Sequence, residues 1–371
     1  MQGAGIIMAN ILTAVVIGKV GIIMIKVGIV GAAGYTGREL IRLLAGHPQV
    51  EIRLITSRTY AGKTLAEVFG VFRSFPEVGE FVFADRDVEK LVSQVDCLFV
   101  AAPAGTAMEY ASICKQSGTV LIDLGTDFRF ADAAIYEKTY GINHSCADLL
   151  SEARYGLPEL WRSDIAGSRI IGNPGCYPTS ALLALAPLAH SGLLKSPVNI
   201  SSVSGVSGAG STPGPMYHYP DRTENVEAYK PVVHRHGPEI ATQLAKLAQA
   251  AIDVIFVPHL VPMSRGIFTT VFAQTKVPLD TGELEALYLD FYRYEPFVEV
   301  LVGDILPQTK AVAGTNSCHL AVKGDYTTKT VVAMSVIDNL GKGAAGQAVQ
   351  NMNIVYGWQE NTGLSQIGLV V

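Results

Sequence analysis

A chain of 371 residues is too long for one ordinary hydrophobic core and predicts two domains. With 49% hydrophobic and 16% charged residues its composition is globular, which excludes a disordered or fibrous protein. A net charge of −5 argues against nucleic acid or an anionic membrane as the main partner, so an anionic ligand needs a local cluster of cations.

Residues 1–23 form an apolar extension whose only charge is Lys19. Its length would suit a membrane anchor, but it lacks the basic start of a secretory signal and the Arg and Ser content of a transit peptide. Met24 is therefore expected to be the true start, with the codons before it not normally translated. The segment at 25–30 is an apolar run of strand length. Gly31-Ala-Ala-Gly34-Tyr-Thr-Gly37 follows and opens the helical pattern at 38–44, giving the strand, glycine turn and helix of a dinucleotide site. Such glycines permit a tight turn and let a pyrophosphate approach the backbone at the positive helix end. Gly31, Ala33, Gly34, Tyr35, Thr36 and Gly37 are the cofactor-binding candidates, although the spacing is G-x-x-G-x-x-G rather than G-x-G-x-x-G.

The next strand, at 50–55, ends in Thr56-Ser57-Arg58 without an acidic residue. Asp or Glu there would bind the ribose 2′-OH of NAD, whereas Arg accommodates the 2′-phosphate of NADP. Ser57 and Arg58, with Lys63 nearby, favour NADP(H). Further strand-like runs at 97–102, closing at Pro103, and at 120–124 alternate with helical stretches such as 107–116. The alternation predicts an α/β class protein with a Rossmann-type, doubly wound parallel sheet and a ligand crevice at the strands' carboxyl ends, where Pro103 lies.

Gly172-Asn173-Pro174-Gly175-Cys176-Tyr177-Pro178-Thr179 puts a cysteine at the mouth of a helix built from the formers at 180–186. Pro178 suits the first helical position. Cys176 then meets the free N–H groups and positive dipole end that favour a negative sulfur, which predicts a lowered thiol pKa and a nucleophile. The same N–H groups can hold an oxyanion. With Cys97, Cys114, Cys146 and Cys318 it makes five cysteines without a C-x-x-C pair, which suits a reducing cytoplasm and predicts neither disulfides nor a metal site.

Beyond Cys176, residues 198–203 and 266–275 read as strands, 238–251 as a helix and 303–325 as mixed β and loop. They predict an α+β catalytic domain with a mixed sheet. A strand at 330–337 and a helix at 344–355 are expected to carry the chain back to the nucleotide domain. The boundaries are 24–173 and 338–371 for the nucleotide-binding domain, and 174–337 for the catalytic and oligomerisation domain. His234-Arg235-His236-Gly237-Pro238-Glu239 packs two imidazoles, a cation and a carboxylate together just before a helix. One imidazole would take the thiol proton, with Glu239 orienting it. Spacing does not choose between the two.

These motifs, together with Asp127-Phe-Arg129, Tyr155-Gly-Leu-Pro-Glu159, Ser204-Gly-Val-Ser-Gly-Ala-Gly210, Pro258-His-Leu-Val-Pro-Met-Ser-Arg-Gly266, Asp338-Asn-Leu340 and Lys342-Gly-Ala-Ala-Gly-Gln-Ala348, resemble the N-acetyl-γ-glutamyl-phosphate reductases from about Ile25 to the C-terminus. The wider superfamily includes aspartate-semialdehyde and glyceraldehyde-3-phosphate dehydrogenases. The resemblance implies their two-domain fold, a homo-oligomer (dimer or tetramer), NADP(H), and reduction of a small-molecule acyl phosphate in arginine biosynthesis through a thioester on Cys176. It makes His234 the first choice for acid–base work. It directs Asn339, Ser207 and Gly208 to the cofactor, and Arg129, Asn173, Ser204, Arg235 and Arg265 to the substrate. Many relatives carry Arg directly after Ser-Gly-Ala-Gly, where this chain has Ser211. An aminoadipyl-phosphate reductase acting on an acidic carrier protein would share most motifs, but no surplus of Lys marks a carrier groove. Aspartate-semialdehyde dehydrogenase fits the His-Arg-His-x-Pro-Glu segment poorly. Retention of both Cys176 and the histidines speaks against a non-catalytic nucleotide sensor.

Overall fold

The computed structural model describes residues 24–85 and 87–368, so the apolar extension at 1–23 lies outside the described residues. Seven strands form a parallel sheet: β1 (Ile25–Val30), β2 (Val50–Thr56), β3 (Phe83–Ala84), β4 (Cys97–Val100), β5 (Val120–Asp123), β6 (Ala153–Tyr155) and β7 (Ile170–Gly172). Their order is β3-β2-β1-β4-β5-β7-β6, so the winding reverses between β1 and β4. Both faces of β4 and β5 are buried, which explains their unbroken apolar runs. On one face Val27, Ile29 and Phe99 pack with Leu40 and Leu44 of the helix Tyr35–Leu44 and with Ala348 and Met352 of the helix Gly346–Val355. On the other, Val30, Leu98 and Val100 pack with Met108, Ala111 and Cys114 of the helix Met108–Ser117.

The second sheet is mixed. It contains β8 (Val198–Ser204), β9 (Glu227–Ala228), β10 (Val254–Leu260), β11 (Ile267–Gln274), β12 (Val298–Val300), β13 (Cys318–Asp325) and β14 (Thr330–Ile337), in the order β12-β13-β14-β11-β8-β10-β9. The expectation that the 330–337 strand returns to the nucleotide domain is corrected here. It pairs along its whole length with β11 and β13, because Val331, Ala333 and Ile337 face the second core. Only the following helix goes back.

The helix Cys176–His190 lies between the second sheet and its neighbours and is buried all round from Tyr177 to Ala189. It begins at Cys176 itself, with Pro178 third rather than first, still within the turn whose N–H groups have no helical acceptor. Pro187, inside this helix, has no N–H to offer the carbonyl of Leu183. The Tyr292 hydroxyl donates to that carbonyl instead, and Tyr288 donates to Ala184 at 2.6 Å, so the helix continues. Among the described residues no helix is long and apolar enough to cross a membrane.

Candidate active site

The loops after β1 and β4 meet where the nucleotide sheet reverses, and two glycines let them do so. Gly31 has φ +78°, and a Cβ there would lie 2.2 Å from the Ala101 carbonyl oxygen; one on Gly37 would lie 2.4 Å from the carbonyl of Gly31. The helix ladder starts with Arg38 N–H on the Gly34 carbonyl, and no side chain caps the helix. The N–H groups of Tyr35, Thr36 and Gly37 therefore face outward as an anion site.

From this turn a continuous groove runs to the catalytic cysteine candidate. Its far end, about 730 Å³, is lined by Ala33, Gly34, Ser57, Arg58 and Pro103. Gly34, Tyr35 and Pro103 also border a middle part of about 390 Å³, which reaches Thr36, Asn173, Cys176, Ser207, Gly208 and Asn339. Cys176, Gly208, Arg235 and His236 in turn border an inner cavity of about 340 Å³ with Tyr177, Ser204, Tyr229, Lys230 and His234. A dinucleotide fits the first two parts. Two buried polar atoms at the far end, Thr56 Oγ1 and Arg38 Nε, have no protein partner, and no carboxylate lines that end. Ser211 borders the cofactor parts of the groove and not the inner cavity, so the Arg missing there leaves the acyl end its own cations, Arg235 and Lys230.

Cys176 follows the carboxyl end of β7 and opens its helix, with Gly175 as the cap. The Gly175 N–H donates to Glu239 Oε1 at 2.9 Å. Glu239 also accepts from the Tyr155 hydroxyl at 2.8 Å and from Arg129 Nη1 at 3.1 Å. Glu239 was expected to orient an imidazole; its lone pairs instead hold the turn before the nucleophile and a buried cation. Arg129 Nε donates to the Asn173 carbonyl at 2.9 Å, and the Asn173 amide spans Ala344 and Asn351. Arg129 and Asn173 border the groove, but their polar groups brace the Cys176 turn. The expected lowering of the thiol pKa is corrected as well. Burial pushes the Cys176 thiol up, and Arg129, the Tyr177 N–H and Arg235 only partly oppose it. Arg129 gives the largest of the opposing effects, and Glu239, its ion-pair partner, adds a smaller one in the direction of burial.

His234 Nδ1 accepts the His236 backbone N–H at 3.1 Å, which puts the proton of the neutral ring on Nε2. Burial, and then Arg235 and Lys230, hold its pKa down to about 4. Burial, followed by His234, Arg129 and Arg235, lowers His236 well below the usual imidazole value. The lowered pKa favours the neutral form of both rings, but only His236 keeps a ring nitrogen free, since the lone pair of His234 is taken by the His236 backbone N–H. Their placement differs. A Cβ on Gly175 would lie 2.6 Å from His236 Nε2, so this ring rests on the residue that precedes the cysteine. His236 borders both parts of the groove that Cys176 borders, whereas His234 borders only the inner cavity, against Tyr177, Tyr229 and Phe256.

Arg235 is exposed between the two rings and has no ion-pair partner among the described residues. Arg265, expected at the substrate, lies elsewhere. Its Nη atoms bind Glu39 at 3.1 and 2.8 Å and its Nε binds Asp338 at 2.9 Å, so it ties the helix Tyr35–Leu44 to the end of β14, away from Cys176. Asn339 Nδ2 donates to Ser207 Oγ at 2.9 Å while its Oδ1 accepts from Gly266 N–H at 2.7 Å, which fixes the Ser207–Gly208 loop over the groove. Ser204 Oγ donates to the Gly205 carbonyl at 3.0 Å. The motifs gave no role to Tyr155, Tyr229 or Lys230. Tyr155 lay inside a quoted motif, but nothing local marks Lys230, which takes φ +46° at the cavity wall.

Two domains, a glycine turn and a cysteine at a helix mouth beside neutral imidazoles define a semialdehyde dehydrogenase. Residues 26–168 match the semialdehyde dehydrogenase NAD binding domain, and 176–339 match the semialdehyde dehydrogenase dimerisation domain. The fold is shared by aspartate semialdehyde dehydrogenase II of Vibrio cholerae, at 20% identity and TM-score 0.68, covering 90% of this chain and 98% of that one. It is also shared by aspartate semialdehyde dehydrogenase with NADP from Candida albicans, at 16% identity and TM-score 0.68, covering 91% and 99%. N-acetyl-γ-glutamyl-phosphate reductase of Desulforudis audaxviator is 49% identical over 347 residues, 93% of this chain and 99% of that protein. That of Methanopyrus kandleri is 45% identical over the same shares. The chain belongs to the N-acetyl-γ-glutamyl-phosphate reductase family.

Proposed function

We propose that this chain reduces N-acetyl-γ-glutamyl phosphate to N-acetyl-L-glutamate 5-semialdehyde and phosphate with NADPH, in the arginine pathway. The observation that carries this reading is Cys176, which stands where the cofactor groove opens into the acyl cavity. Its sulfur attacks the acyl carbon while the thiol proton passes to a neutral imidazole, and the bond to phosphate breaks to leave a thioester. His236, resting on Gly175, is the proton acceptor this arrangement favours, and His234 Nδ1 holds its backbone by accepting the His236 main-chain N–H. Bound NADPH supplies the hydride that reduces the thioester. The Cys176 N–H, without an acceptor among the described residues, opens the helix mouth where the oxygen becomes negative. The C–S bond then breaks with its electron pair returning to the sulfur, which takes back the proton held by the imidazole, and the aldehyde is freed. Arg235 and Lys230 offer the charge that the phosphate and carboxylate of the substrate require.

Run in reverse with phosphate and NADP, the enzyme should turn over N-acetylglutamate semialdehyde far faster than aspartate semialdehyde or the aminoadipate semialdehyde. Preference for either of the others would replace the substrate named here.

We further propose a homo-oligomer built on the open face of the second sheet, in a reducing cytoplasm where all five cysteines stay unpaired. Along β11 the buried Ile267, Thr269, Val271 and Ala273 alternate with Phe268, Thr270 and Phe272 on the other side, where Phe272 is 46% exposed. An apolar sheet face of this kind is a docking surface for a second copy. Phe272→Asp should convert the oligomer to a monomer in light scattering, and an unchanged mass would place the interface elsewhere.

A further inference from the structure

The far end of the groove holds a cation besides Arg58. Arg38 follows the glycine turn on the first turn of its helix, and its guanidinium carbon lies 4.7 Å from the centre of the Tyr35 ring and 4.4 Å from that of Phe69. Contacts of this type hold a guanidinium in place without neutralising it. No carboxylate pairs with Arg38 among the described residues, since the neighbouring Glu39 is taken up by Arg42 and Arg265. Its Nε is buried with no acceptor. A buried donor left unmade is costly, so it marks a place for an absent acceptor. Thr56 Oγ1, buried and unpartnered, borders the same space. Ser57 and Arg58 border it too, and no Asp or Glu does.

We infer that Arg38 is a specificity-determining residue that grips the adenosine 2′-phosphate of the cofactor together with Arg58, its guanidinium held ready by Tyr35 and Phe69. The inference rests on the proposed reading of this groove as an NADP(H) site. A guanidinium presents a rigid fork of donors that matches phosphate oxygens, whereas lysine offers only a compact charge. A cofactor with a 2′-hydroxyl in place of the phosphate leaves two cations and the Nε donor unanswered. Selectivity for the phosphorylated cofactor therefore comes from both sides of the turn, the end of β2 and the start of the helix.

Isothermal titration calorimetry of the full-length enzyme with NADPH, NADH and adenosine 2′,5′-bisphosphate tests this without turnover. Arg38→Met keeps an apolar stem against the two rings. It should weaken NADPH and the bisphosphate by roughly tenfold to a hundredfold, the size of a lost charge-assisted hydrogen bond, and leave NADH almost unchanged. Arg38→Lys should restore part of the loss and serves as the folded comparison if the Met variant is unstable. Equal weakening of NADPH and NADH, or unchanged binding of the bisphosphate, would overturn the role of Arg38 and leave the cofactor site standing. Equal affinity of the unaltered enzyme for NADH and NADPH would instead overturn the NADP(H) reading, and the role of Arg38 with it.

Discussion

Replacing Cys176 by serine should lower turnover by several orders of magnitude while NADPH still binds with unaltered affinity. The change swaps one atom at a position where the helix start, the Glu239 brace and the packing against Gly343 are all independent of sulfur. What it removes is the one thiol among the described residues of the groove, the group that can carry the acyl chain as a thioester; a serine hydroxyl at the same place ionises far less readily and would give a poorer leaving group. Single-turnover kinetics with the acyl phosphate, set beside calorimetric binding of NADPH, separates the two effects. A variant that keeps about a tenth of the original turnover would remove Cys176 from the mechanism. The raised thiol has its own signature. In the empty enzyme alkylation by iodoacetamide should be slow near neutrality and accelerate as pH rises, because burial disfavours the thiolate. A rate already saturated in the acidic range would mean that the helix mouth and Arg235 outweigh burial.

The glycine turn and the cysteine at a helix mouth were both legible in the sequence because each is a local device. Gly31 and Gly37 are required by contacts within a single strand–turn–helix unit and with the neighbouring strand, and Cys176 owes its position to the residues on either side of it. Roles set by partners far along the chain were not legible. Glu239 looks like an orienter of His234 or His236 when only its neighbours are considered, yet its partners are at positions 129, 155 and 175. Arg265 looks like a free cation for phosphate until Glu39 and Asp338 are seen to occupy it. The strand at 330–337 is a nearly continuous apolar run that either sheet could bury, and only its pairing with β11 and β13 decides which. Arg38 passed unnoticed for a related reason: the aromatic ring at position 69 that helps to hold it is more than thirty residues away.

The two histidines should separate in kinetics, in the opposite order from the one the motif resemblance implies. His236→Asn should lower kcat by about a hundredfold to ten-thousandfold, the range for loss of a general acid–base group. Its ring rests on Gly175 and borders both parts of the groove that Cys176 borders. His234→Asn should act mainly on KM, since this ring lines the acyl cavity and fixes the His236 backbone through its Nδ1. Acid stability supplies a second readout for His234. Its pKa is held down at about 4 in the folded chain, against an ordinary value of 6.5, so the unfolded chain takes up the proton first as pH falls. The stability that goes with the neutral ring is fully present above 6.5 and is lost as pH drops towards 4. Denaturant unfolding across that window should therefore show a shallower decline in His234→Asn than in the unaltered enzyme. A large kcat loss in His234→Asn with near-normal turnover in His236→Asn would return the acid–base role to His234. It would also mean that the contact with Gly175 serves only to pack the turn before the nucleophile.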